Sequence, residues 1–155
     1  MKYKKYWRKT SLKQKGIGDL FLNEILLSNP KKFLEIGVFQ GVTSRNICEL
    51  LYEIHGIDFK YIGVDMFEHD EKSKNEAIPN INFKNPLKQF YYQYIKKENP
   101  YSLISVKKLL KKFEKNVEIL KGDSKKILPK VDLAEVDYVF IDGGHSYETV
   151  KSDLN

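Results

Sequence analysis

Four short apolar runs, each closed by an acid or a glycine turn, most narrowly limit what this chain can fold into. They are Phe33-Leu34-Glu35-Ile36-Gly37, Tyr61-Ile62-Gly63-Val64-Asp65, Val117-Glu118-Ile119-Leu120 and Asp137-Tyr138-Val139-Phe140-Ile141-Asp142. Runs this short and apolar read as strands buried on both faces, the condition of a parallel sheet. Helical patterns separate them. Leu20, Phe21, Ile25 and Leu26 form one apolar face that ends near Ser28-Asn29-Pro30. Ile47, Cys48, Leu51 and Ile54 form a second, with Thr43 or Ser44 as its expected cap and Gly56 as its stop. The unit from Phe33 to Asp65 thus has the order and length of one βαβ crossover, with a right-handed connection between parallel strands. The expected fold is α/β, a Rossmann-like open parallel sheet of about four strands with helices on both faces.

Residues 68–101 are longer than a plain crossover needs. They open polar, and then Asn85-Pro86 predicts a helix start. Leu87, Phe90, Tyr91, Tyr94 and Ile95 follow at helical spacing, an aromatic stripe read as core packing. After Asn99-Pro100, the pattern Leu103, Val106, Leu109, Leu110 and Phe113 reads as the true crossover helix. The domain division is therefore a basic arm over 1–16 and a domain over 17–155 with a helical insertion at about 68–101.

In a parallel open sheet the carboxyl ends of the strands share one edge, where ligands bind at the switch in strand order. Glu35, Asp65, Asp123 and Asp142 all fall at such ends. One strand-end acid means little; an ordered series calls for a common reason. The first turn, EIGVFQG, spaces Gly37 and Gly41 as G-x-x-x-G. It lacks the G-x-G-x-x-G that seats a pyrophosphate on a helix N-terminus. An acid ahead of the bend repels phosphate and welcomes a cation. A nicotinamide-dependent oxidoreductase is disfavoured on both counts.

Charge separates the arm from the body. Seven of the 27 basic residues lie in residues 1–15, which hold no acid, and the remaining 20 face 21 acidic residues. The net +6 therefore belongs to the N-terminal segment, read here as a solvated tail or first helix. Arg8 and Arg45 are the only arginines, which disfavours nucleic acid as a partner, since arginine dominates base-edge readout. No apolar run is long enough to span a bilayer, and no membrane partner is expected. The lone Cys48 excludes an internal disulfide and fits a cytoplasmic setting.

The string FLEIGVFQGVTS resembles the first motif of class I S-adenosylmethionine-dependent methyltransferases, and the likeness runs from about Phe33 to Leu154. Its most specific part is VDYVFIDGGHSYETVKSDL, similar to the fourth-strand signature of small-molecule and sugar O-methyltransferases. The resemblance implies strand order 3-2-1-4 and S-adenosylmethionine as cofactor. Glu35, Gly37 and Gly41 would border its methionine part, Asp65 its ribose, and Asp123 with Ser124 its adenine. It implies Asp142 and His145 as the catalytic pair, with Asp142 also a candidate ligand for magnesium and His145 a candidate base. The implied acceptor is a small-molecule or sugar hydroxyl. An RNA methyltransferase, or a degenerate cofactor-binding or partner module without catalysis, stays open beside it.

The family's sheet normally continues past the fourth strand, whereas this sequence stops at Asn155 inside a helical pattern. The reading is a domain truncated after its fourth strand, with impaired or absent activity. Its uncovered apolar edge would invite a homo-oligomer or a completing chain.

Overall fold

The computed structural model describes residue 7, residues 9–67, residues 84–143 and residue 151. Four strands, β1 (Lys32–Ile36), β2 (Lys60–Asp65), β3 (Val117–Lys121) and β4 (Tyr138–Ile141), form one sheet in the order β3-β2-β1-β4. Every pairing is parallel, with Leu34 opposite Ile62 and Val139, and Gly63 opposite Ile119. The expected order and the parallel sense are both present.

Side chains alternate across this sheet, as the two-residue period of a strand requires. Phe33, Tyr61, Ile119, Tyr138 and Phe140 point to one face, into the larger core. Phe33 stacks on Tyr61 and on Tyr138, at 6.1 and 4.9 Å between ring centres. Helices α1 (Ile17–Ser28), α2 (Val42–His55) and α4 (Leu103–Leu110) cover this face with Ile25, Ile47, Leu51, Val106 and Leu110, all essentially dry. Leu34, Ile36, Ile62 and Val64 point to the other face, against Ile127, Leu128 and Val131 from α5 (Ser124–Ile127) and the turn after it. Arg45 ties α2 to the α4 end by donating to the Leu109 carbonyl at 2.6 Å, with its guanidinium 4.8 Å from the Phe113 ring centre.

Several local expectations give way to tertiary context. Gly41, not Thr43 or Ser44, caps α2, which frees the Ser44 hydroxyl for a buried partner. In α1 the buried positions are Gly18, Leu22 and Ile25, while Leu20 and Leu26 face outward. Strand β4 is not buried on both faces: it lies at the sheet edge, and Val139 is 50% exposed. The stripe on α3 (Pro86–Phe90) and the π-helical turn Tyr91–Lys96 is not core either. Leu87, Phe90, Tyr94 and Ile95 are all exposed, and Phe90 and Tyr94 meet mainly each other. Periodicity identifies a face; only a neighbouring element makes it an interior. The helix start itself is as expected, with Asn85 accepting from the amides of Leu87 and Lys88 and Pro86 in the first turn.

The basic segment is not a free tail over its described residues. Trp7 is part-buried against the larger core and lies over Gly18, where a Cβ would come within 2.5 Å of the indole. Thr10 closes a turn on the Trp7 carbonyl through both its amide and its hydroxyl, at 2.9 and 2.8 Å.

Candidate active site

A cleft of about 780 Å³ opens along the carboxyl edge of the sheet. Its floor is the bend that follows β1. Gly37, Phe39 and Gly41 all have positive φ, so the bend reverses at alternate residues. At Gly37 a Cβ would collide with the Asp142 carbonyl, so glycine is what lets the β1 and β4 ends close together. At Gly41 the φ of 71° starts α2 from a left-handed residue, with Val106 packed close by. Phe39 carries the same conformation with a side chain, and its ring rests on Tyr101 at 4.9 Å.

Asp65, at the end of β2, stabilises that bend. One carboxylate oxygen accepts from the Phe39 amide at 2.7 Å and the other from the Phe67 amide at 2.8 Å. Each oxygen keeps a second lone pair, and the residue lines the cleft. Asp123 caps α5, accepting from the Lys125 amide at 3.1 Å, and with Ser124 it lines the same cleft. Asp142, past β4, lines the cleft beside Gly143 and accepts the Ser11 hydroxyl at 2.5 Å, a contact across 131 residues of sequence. The structure therefore brings Gly37, Asp65, Asp123, Ser124 and Asp142 to one cavity. Gly41 stands behind them at the helix start.

Glu35 goes elsewhere. Its strand parity sends it to the larger core, fully buried, where one oxygen accepts from Ser44 at 2.6 Å and from the Tyr61 hydroxyl. Its other oxygen has no partner among the described residues. Burial pushes its pKa up to about 8, against the lowering effect of the two hydroxyls, with Asp142 and Asp65 adding to the rise. At neutral pH Glu35 is therefore mainly a neutral acid. The negative potential ascribed to the first strand end comes instead from Asp65, Asp123 and Asp142. Cys48, also dry, has its thiol pushed well up by burial.

His145 lies outside the described residues. Among those described, no group of three histidines, cysteines or carboxylates is placed to hold a metal ion, and no helix is long and apolar enough to cross a membrane. Sequence reasoning missed the contribution of Lys9, Thr10, Ser11 and Lys13, which also line the cleft. The only signal was the aromatic and hydroxyl content of the arm, Trp7, Thr10 and Ser11, which a solvated tail does not need.

The fold matches that of the O-methyltransferase TomG from Streptomyces achromogenes, which is involved in tomaymycin synthesis and was solved with SAM. The TM-score is 0.53 at 19% identity, covering 88% of this chain and 48% of that one. It also matches an O-methyltransferase from Bacillus cereus solved with SAH, with TM-score 0.54 at 13% identity, over 91% of this chain and 51% of that one. At such identities the likeness is one of fold, and the chain spans about half the length of these relatives. No curated protein matches the sequence. A family model described as a methyltransferase domain matches residues 34–155, from the first strand through all four strand ends. By that match the chain belongs to the methyltransferase-domain family.

Proposed function

We propose that this chain is the cofactor-binding half of an S-adenosylmethionine-dependent O-methyltransferase that acts on a small-molecule or sugar hydroxyl. One observation carries the reading: three strand-end carboxylates, Asp65, Asp123 and Asp142, converge with the glycine bend after β1 on one cleft. The cleft's size lies in the range of roughly 300–1,000 Å³ typical of cofactor sites. The TomG and Bacillus cereus structures, solved with SAM and SAH, support the same ligand class.

The residues fit the cofactor in kind. Gly37 lets the β1 and β4 ends close together beneath the ligand, and Gly41 starts the helix that follows. Asp65 offers its remaining lone pairs to a ribose diol, while its amide contacts hold the carboxylate still. Asp123 and Ser124 stand at the adenine end. Glu35 acts from below as a buried neutral acid that packs the bend through Ser44. When bound, S-adenosylmethionine supplies a sulfonium-activated methyl carbon; transfer forms an O–C bond, breaks the C–S bond and releases the acceptor's hydroxyl proton.

Across β1, Asp142 orients the acceptor hydroxyl, and His145 is our candidate to take its proton. Asp142 remains the candidate magnesium ligand, and further ligands would have to come from beyond the described residues. We place the protein in the cytoplasm, with Cys48 as a buried thiol, and assign the β4 edge to a homo-oligomer or a completing chain. The domain division we keep is an N-terminal segment over 1–16 and the methyltransferase unit over 17–155, with the insertion at about 68–101.

Calorimetric titration tests the reading. S-adenosylmethionine or S-adenosylhomocysteine should bind one site per chain and raise thermal stability, while NAD should do neither. Binding of NAD alone would overturn it. In an active form, His145→Ala should lower turnover far more than cofactor affinity; equal losses would make His145 structural.

A further inference from the structure

Outside the cleft, the helix that opens at Asn85 presents a face the fold does not use. Leu87, Phe90, Tyr91, Tyr94 and Ile95 recur at steps of three and four residues along α3 and the π-helical turn after it. All five are exposed, Leu87 at 80% and Ile95 at 64%. Tyr92, off that stripe, is part-buried, and burial together with Tyr91 and Tyr101 pushes its hydroxyl pKa up. Pro86–Lys96 is shorter than the roughly 12–15 residues at which an isolated helix holds in water, so an outward apolar stripe supports it only when covered. Charge indicates by what. Residues 84–97 carry Lys84, Lys88, Lys96 and Lys97, all exposed, and no acid. The next acid, Glu98, pairs with Lys108 of α4. A short apolar stripe with lysines at its ends and border suits a bilayer interface, its apolar groups among acyl chains and its ammonium groups at anionic headgroups. Spanning a bilayer needs a long apolar run; lying in its surface does not. A second copy fits this face poorly, because two-fold pairing would set four lysines against four. A nucleic acid would use the aromatic rings but not Leu87 and Ile95, the most exposed of the five.

We propose that α3 and the π-helical turn after it form a docking face for an anionic lipid surface, with the apolar stripe inserted and the lysines at the headgroups. This is independent of the methyltransferase reading. A tight turn joins the face to the cleft. The Asn99 side chain accepts from the Tyr101 amide at 2.9 Å, and its carbonyl accepts the Ser102 and Ser105 hydroxyls at 2.8 and 2.6 Å. Tyr101 lines the cleft, so docking holds that side of its mouth toward the bilayer.

The test is co-sedimentation of the whole chain with vesicles of pure phosphatidylcholine and of phosphatidylcholine with about one third phosphatidylglycerol. At low salt, partition onto the anionic vesicles should be about ten-fold or more stronger than onto the neutral ones. It should fall at about 1 M salt, where screening reaches to about 3 Å. Phe90→Ser with Tyr94→Ser should lower it about ten-fold, and so should the triple change Lys84→Gln, Lys96→Gln and Lys97→Gln. The lysine set leaves the stripe whole, so it decides the matter if the serine pair unfolds in a thermal melt. No partition onto anionic vesicles, or equal partition onto both kinds, would overturn the proposal. Partition that survives both sets of changes would overturn it too, moving the contact to the basic residues of 1–15. Self-association that the serine pair abolishes in sedimentation velocity, without vesicle binding, would make the face an interface between copies and overturn it as well.

Discussion

The two flanks of β1 are built in opposite ways. On one side β2 is paired along both edges and dry over Tyr61–Val64, and its terminal Asp65 is held by the amides of Phe67, two residues on, and of Phe39, in the bend after the paired strand β1. On the other side β4 is a sheet edge with a half-exposed Val139, and its terminal Asp142 accepts a hydroxyl from residue 11. The first flank is preorganised by the strand pairing itself. The second depends on a contact between distant parts of the chain, whose closure carries a larger entropy cost. Under the proposed function the cofactor belongs to the first flank and the acceptor to the second.

Stability should divide along the same line. Ile62, dry on β2, should cost about 2–5 kcal/mol when changed to alanine. Val139→Ala, at the exposed edge, should cost less than about 1 kcal/mol. Urea denaturation measures both, and comparable losses would erase the distinction between the flanks.

The pH dependence sharpens it further. Glu35 has its pKa raised from 4.5 to about 8, so the folded state holds a proton that the unfolded chain has lost across that interval. Its stabilising contribution is full below about 4.5, declines as pH rises through the interval, and is gone above about 8. The loss should be a few kcal/mol in thermal or urea melts at pH 5 and pH 9. Glu35→Gln should flatten the profile; an unchanged slope would place the titration elsewhere.

Binding provides the next contrast. Asp65→Ala should weaken S-adenosylhomocysteine binding by about 1.5–3 kcal/mol, the range of a hydrogen bond to a charged group. Asp142→Ala should change the same constant less than about three-fold. Calorimetry that finds the reverse would put the cofactor on the β4 side. The smallest effect belongs to Ser11→Ala. Global stability should move by no more than about 1 kcal/mol, while hydrogen exchange at Thr10 and Leu12 should speed up. Unchanged exchange would mean that the Asp142 contact does not hold the segment.

Much of the fold was legible because local chemistry and tertiary role agree there. Apolar runs ending in glycine or acid became β1 to β4 in the expected order, and Gly56, Asn85, Pro86 and Asp123 mark element ends as their chemistry predicts. The convergence of the candidate residues was legible too: Asp65, Asp123, Ser124 and Asp142 reach one cleft because parallel strands deliver their carboxyl ends to one edge. Glu35 was misread as a charge at that edge. In a strand covered on both faces, apolar alternation does not reveal to which face a polar residue turns. The arm and the aromatic stripe were misread for a related reason. Whether Trp7 or Tyr94 is interior depends on what packs against it, and here the core receives Trp7 while Tyr94 stays exposed.

By itself, then, the amino-acid order determined the strands, their parallel sense and the acids at their ends, since these follow from hydrophobic runs and turn residues a few positions apart. Only the tertiary structure decided that Glu35 is buried and largely neutral, that Trp7 packs into the core, and that Ser11 meets Asp142. Each of those depends on groups far apart along the chain, whose proximity no local pattern encodes.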